Sequence, residues 1–329
     1  MSKRQNFNYR ALGCLLATFV AGCSGSPSQP GTPYGVVPKA NASLGHSVRA
    51  RSWMSPQAKR KNLFYVSDLA NNVVYVYTYP QGRLQGTLAG FDAPGGECVD
   101  RSGDVFITNG RGDSVDEYAH AAKEPKAVLA TPGQTWSCSV DPTTGNLAVL
   151  FLSPSQGEGV AIYPHGHGSP TLYYASPSAA LAYCGFDNAG NLFLDGGTDY
   201  EHVSFWEIPK GGSAFNEVSI AGEFYSAGQV QWDGKYLTIE DLAFDTISRV
   251  EFSGSSGTVV GVTMLGKMAF DSAYQSWIQS GTLLVPHTAQ KNRNPTVGLW
   301  RYPAGGDHPQ KMVRQPGSVP DAVVVSLAR

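Results

Sequence analysis

Gly95-Gly96-Glu97-Cys98-Val99-Asp100 is a small-residue turn running into a short apolar stretch that ends in Asp, and it is followed at once by another strand-like run, Asp104 to Asn109. The same phrase returns as WSCSVD ending at Asp141, AYCGFD at Asp187, QVQWD at Asp233 and KMAFD at Asp271. Steps of 41, 46, 46 and 38 residues separate these aspartates. A repeat of that length built from short strands is the mark of a propeller blade.

Within one unit the turn chemistry separates four strands. In the second unit they are expected at Gly95 to Asp100, Asp104 to Asn109, Ser114 to Ala119 and Lys126 to Thr131. The third strand of most units ends in Tyr or Ile followed by Pro-x-Gly, as in Tyr79-Pro80-Gln81-Gly82, Tyr163-Pro164-His165-Gly166, Ile208-Pro209-Lys210-Gly211 and Tyr302-Pro303-Ala304-Gly305. Proline stops the strand and glycine supplies the turn. Leu63 to Val66, Val73 to Tyr77 and Leu84 to Ala89 form three strands with no inner strand before them, whereas Ala322 to Leu327 is an inner-type strand with nothing after it. Joining the two ends completes a blade and removes two sheet edges. The expected fold is all-β: a six-bladed β-propeller over 62–329, with four-stranded blades and one-plus-three closure by the C-terminal strand.

The first residues carry an address. Lys3, Arg4 and Arg10 precede an apolar run, Ala11 to Ala21, that is too short for a permanent membrane span. It ends in Val20-Ala21-Gly22-Cys23, which resembles the bacterial lipobox. Residues 1–22 therefore read as a lipoprotein signal peptide and Cys23 as the lipidated residue, anchoring the chain to a membrane. Ser24 after the cysteine points to the outer membrane in a Gram-negative envelope. Residues 23–61 are rich in Ser, Pro and Gly and have no apolar period, as a flexible tether would. Loss of Lys3, Arg4 and Arg10 with the signal takes 24 Lys and Arg to 21 against 26 Asp and Glu, a formal charge of −5. Nucleic acid is not an expected partner. A monomer is the expected state.

The first unit also carries a family resemblance. Phe64-Tyr65-Val66-Ser67-Asp68 followed by Asn71-Asn72-Val73-Val74-Tyr75-Val76-Tyr77 resembles the NHL and YVTN class of bacterial propellers, a likeness that extends over about residues 62 to 327. In overall plan the chain is most similar to exported lipoprotein propellers of unassigned function. The resemblance implies the fold; propellers of this class include enzymes, ligand sensors and scaffolds.

Six-bladed lactonases and lyases hold a divalent cation with acidic, amide or imidazole groups at one mouth of the ring. The ends of the second strands here supply Asp68, Asn109, Asp195, Asp241 and His287 as candidates. Asp and Asn at such places also serve local turns, so no cofactor, metal site or catalytic residue is assigned outright. Glu97 and Lys267, charged on inner strands, are candidates for the channel. Cys98, Cys138 and Cys184 recur with the repeat and read first as buried apolar thiols, then as one disulfide, and last as a functional thiol. His165-Gly166-His167 looks like a metal pair, but falls on the Pro-x-Gly turn and reads as turn decoration. No Gly-x-Ser-x-Gly elbow or phosphate-binding loop is present. The expected role is non-catalytic binding of an envelope protein, peptide or glycan, to which Trp206 or Trp300 would contribute if exposed, although a place between blades is their default; a metal-dependent lactonase or lyase is the alternative.

Overall fold

The computed structural model describes residues 51–329 apart from 177–178, 198–201, 267–268, 271–273, 289–293 and 318. The signal segment, Cys23, most of the tether, Lys267 and Asp271 lie outside the described residues. A little over half of the described residues lie in strands, which are arranged in five sheets.

Strands β1 (Trp53–Met54), β2 (Leu63–Asp68), β3 (Val73–Thr78) and β4 (Leu84–Ala89) open the first sheet. The second sheet holds β5 (Pro94–Val99), β6 (Val105–Asn109), β7 (Ser114–Tyr118) and β8 (Ala127–Ala130). The third holds β9 (Gln134–Val140), β10 (Leu147–Ser153), β11 (Gly157–Tyr163) and β12 (Thr171–Tyr174). Two antiparallel runs follow: β13 (Leu181–Phe186), β14 (Leu192–Gly196), β15 (Ser204–Ile208) and β16 (Asn216–Ala221), then β17 (Ala227–Trp232), β18 (Leu237–Asp241), β19 (Thr246–Ser253) and β20 (Ser256–Met264). Parallel pairing of β16 with β20, Ser219 opposite Ser256, fuses these runs into one eight-stranded sheet. The last sheet holds β21 (Trp277–Gln279), β22 (Thr282–His287), β23 (Thr296–Arg301) and β24 (Lys311–Arg314). The final strand, β25 (Pro320–Ser326), returns to pair antiparallel with β2, Leu63 opposite Ser326.

In the second unit the strand bounds fall within a residue or two of those read from the turn residues. The recurrent aspartates explain themselves. Asp100 accepts the Asp104 N–H, Asp141 the Thr143 N–H, Asp187 the N–H groups of Ala189 and Asn191, and Asp233 those of Lys235 and Tyr236. Each therefore caps the tight turn from an inner strand into the next, where backbone donors would otherwise be unmet.

Two features depart from the sequence reading. Trp53–Met54 falls in the stretch read as tether, yet it pairs with β4 and makes the first sheet five-stranded. The second concerns the cysteines: Cys98 and Cys138 form a disulfide, and only Cys184 is a buried free thiol among the described residues. The sequence favours buried thiols, since burial is the usual fate of a free Cys and equivalent positions on neighbouring inner strands stand close to the limit of bridging distance; a single disulfide is its second reading. Gly96 removes that obstacle, since a Cβ there would meet the Trp136 carbonyl oxygen at 2.4 Å. Without a side chain β5 and β9 close in, and the two cysteine Cα atoms lie 5.8 Å apart, inside the usual bridging range.

The core runs between sheets as a cycle. Tyr65 and Val76 of the first sheet pack with Ile107 of the second, and Phe106 of the second with Val149 and Phe151 of the third. At the other end of the chain Phe64 and Val66 pack with Leu284 and Leu299 of the last sheet. Every strand so placed buries residues on both faces, which is why these strands read as near-continuous apolar runs.

Candidate functional site

Four of the residues proposed for a cation are spent on backbone. Asp68 Oδ1 accepts the Asn71 N–H at 3.0 Å, and Asn109 Oδ1 accepts the Asp92 N–H at 2.6 Å. Asp195 accepts the N–H groups of Tyr183 and Gly228 at 2.9 and 3.1 Å. Asp241 accepts those of Tyr225, Ser226 and Ala243 at 2.9, 3.2 and 2.9 Å. These carboxyl and amide groups tie the end of a second strand to the loop beside it or to the inner strand that follows. His287 is half-buried at the end of β22. Among the described residues no three His, Cys, Asp or Glu side chains are gathered so as to hold a metal ion.

Buried acids are instead distributed around the inner strands. Glu97 on β5 is wholly buried, and neither carboxyl oxygen makes a well-formed hydrogen bond. Desolvation pushes its pKa well above the ordinary glutamate value, the nearby Asp321 charge adds to that, and the Val324 N–H offsets it only in part. Burial likewise raises Asp321, to about 7, with Asp68 adding to the effect. Glu240 is raised to about 8 by burial, against the opposing pull of the Ser276 hydroxyl and the Gln229 N–H. Asp195 is raised well above the ordinary value despite its two N–H donors. Gln275 spans toward β5, accepting the Glu97 N–H at 2.9 Å and donating to the Glu97 carbonyl at 2.5 Å. Sequence reasoning found Glu97 because a charge on an inner strand is conspicuous. It missed Glu240 and Asp321, which stand beside turn-capping positions and look like more of them.

The two tryptophans part company. Trp300 is buried between sheets with Ile247 and Leu283. Trp206, on β15, is half-buried and lines a surface groove of about 500 Å³ with Tyr173, Tyr174, Phe215 and Glu217. The Tyr173 hydroxyl donates to the Gly212 carbonyl at 3.1 Å, fixing one wall, while Tyr174 leans edge-on against Phe151. This groove lies between the outer strand β12 and the loop that enters β16. It presents aromatic faces and a carboxylate to solvent, a combination that binds flat or ringed ligands by stacking and hydrogen bonding.

No family model and no curated protein matches the chain. Solved structures do. One is a functionally unknown protein from Desulfotomaculum acetoxidans, at 8% identity and TM-score 0.56, covering 82% of this chain and 100% of that one. Another is a nidogen/laminin complex, at 9% identity and TM-score 0.60, covering 82% and 99%. A third is a protein of unknown function from Bacteroides caccae, at 11% identity and TM-score 0.56, covering 81% and 99%. The fold is all-β and β-propeller-like. At these identities the likeness speaks to fold alone.

Proposed function

We propose that the chain is a lipid-anchored, six-bladed propeller of the bacterial cell envelope that binds a glycan or peptide without chemical change, using the Trp206 groove. Two observations support this reading: the eight-stranded sheet divides into two antiparallel halves of four strands, which counted separately bring five sheets to six, and β25 pairs with β2 beside β3 and β4. The groove is the observation that carries the binding reading: Trp206, Tyr173, Tyr174, Phe215 and Glu217 line it together at the surface. Aromatic anchors in such grooves dominate affinity.

Anchoring and binding are tested on one preparation. Full-length chain and a Cys23→Ser variant are compared by membrane fractionation; the variant should leave the membrane fraction, and retention would sink the lipid anchor. Binding is measured by calorimetry with soluble muropeptides, which offer both sugar and peptide. Trp206→Ala should weaken binding by roughly thirtyfold, the effect of losing about 2 kcal/mol. Equal affinity in wild type and variant would overturn the groove assignment.

A further inference from the structure

A single helical turn, Ala58–Arg60, lies between β1 and β2; it carries Lys59 and Arg60, and Lys61 follows directly. Hydrogen bonds bring other turns to this end of the first two sheets. The Asn62 carbonyl accepts the Tyr79 N–H at 2.7 Å, which places the β3–β4 turn and its Arg83 alongside. His120, in the β7–β8 turn, spans from the Lys61 carbonyl, 3.1 Å away, to the Ser326 hydroxyl, 2.6 Å away. That hydroxyl donates to the Gly103 carbonyl at 2.6 Å, so the β5–β6 turn with Arg101 joins the same end.

Lys59, Arg60, Lys61, Arg83 and Arg101 are all exposed, and none makes an ion pair among the described residues. The acids on these turns do not cancel them. Asp100 is half-buried and accepts the Asp104 N–H, Asp104 and Glu117 share Lys126, and Glu124 is offset by its neighbour Lys123. With Glu117 included, seven cations stand against four acids, a surplus of three in a chain whose total formal charge is −2. Two large apolar side chains stand among them, Leu84 and Leu327, each 41% exposed. Leu84 pairs with Tyr77, and Leu327 follows Ser326, which pairs with Leu63, so both lie at the same end of the first sheet. Cations interleaved with exposed leucines match an anionic bilayer surface, where charged headgroups cover the first methylenes.

We propose that this end of the first two sheets docks on an anionic phospholipid bilayer, with the five unpaired cations on headgroup phosphates and Leu84 and Leu327 dipping below them. The cations are spread over three segments and not gathered round one ligand, as contact with a continuous charged surface requires. The leucines gain from hydrocarbon and would gain nothing from a soluble polyanion. This rests on the anchoring reading above: the chain enters the described structure on the first sheet, through β1. A lipid at Cys23 would hold that sheet near the membrane on a tether with a coil dimension of roughly 30 Å. At such range weak contacts suffice, because the tether supplies the effective concentration. The Trp206 groove belongs to other sheets, so docking leaves it open.

The test uses the mature chain, residues 24–329, which lacks the signal and the lipidated cysteine but keeps every described strand, so the patch is read without the anchor. Co-sedimentation is measured with vesicles of phosphatidylcholine alone and of phosphatidylcholine with about 30% phosphatidylglycerol. Binding is expected to the anionic vesicles only, and it should fall as salt rises. Lys59→Ala, Arg60→Ala and Lys61→Ala combined should weaken it by about a hundredfold, near fivefold for each cation. Arg83→Ala with Arg101→Ala, on other turns, should weaken it by about twentyfold. Thermal melts show that the chain and each variant are folded. No preference for anionic vesicles, or binding unchanged by the triple substitution, would overturn the proposal. Binding to soluble polyglutamate and not to vesicles would make this a polyanion site and overturn it as well. Release of full-length Cys23→Ser from membranes tests the anchor separately, so failure of one reading is distinguishable from failure of the other.

Discussion

Glu97 and Glu117 sit in the same sheet, on β5 and β7, and both are sealed from solvent, 0% and 1% exposed. Their surroundings differ. Glu117 looks toward a cavity at the rim, where Lys126 meets one of its oxygens and solvent can reach the other side of the pair. Glu97 looks into the interface with the first sheet, where Tyr65 and Val324 pack and the other nearby charge is the acid Asp321. Near-identical burial thus meets opposite surroundings: one carboxyl group is paired with a lysine ammonium, and the other is pushed toward its neutral form. Burial alone does not set the state of an acid; the sign of its neighbour does.

The larger expected effect comes from removing the charge that has no partner. The folded pKa of Glu97 is raised above its unfolded value, so its contribution to stability is fully present below the unfolded value and is lost as pH rises toward the folded one. Each pH unit in that window costs about 1.4 kcal/mol. Glu97→Gln, which cannot ionise, should therefore stabilise the protein at pH 7 and change its stability by nearly nothing at pH 4. Urea unfolding of wild type and variant at the two pH values measures this directly. A gain of equal size at both would mean that packing, not charge, separates Gln from Glu, and the contrast with Glu117 would collapse.

The two glutamates also mark how far the sequence could be read. Asp100, Asp141, Asp187 and Asp233 were legible because each strand-to-strand turn of the repeat needs the same cap, so physics writes the same letter at the same interval. Glu97 was legible because it interrupts an apolar inner strand. Glu117 was not. Ser114-Val115-Asp116-Glu117-Tyr118 looks like a strand with a polar face, and what buries Glu117 is the turn bearing His165 and His167, forty-odd residues later in the chain. In sequence the His-x-His turn reads as decoration of the Pro-x-Gly turn; in the structure His165 bonds to Thr144 across the turn, while His167 stands 3.8 Å from Glu117. Contacts between neighbouring sheets, the Cys98–Cys138 bridge and the β16–β20 pairing among them, depend on how closely strands approach. The only written trace of the first is the side-chain-free Gly96.

A smaller effect tests the partnered half of the comparison. Lys126→Met leaves Glu117 Oε1 without its ammonium, and Asp104 as well. Because the lysine side chain is 48% exposed, solvent screens the pair, and the expected cost is roughly 1 kcal/mol rather than the several that a sealed ion pair would lose. The loss should be specific to the charge of Glu117. In a double-mutant cycle with Glu117→Gln, the lysine change made on the neutral background should cost less than on wild type, by roughly 0.5 kcal/mol or more. If the two changes simply add, Lys126 serves Asp104 and the rim, and Glu117 must be stabilised by something other than its cation. If they couple as expected, the chain holds two sealed glutamates in one sheet under opposite rules, one answering to a neighbouring cation and the other to the proton.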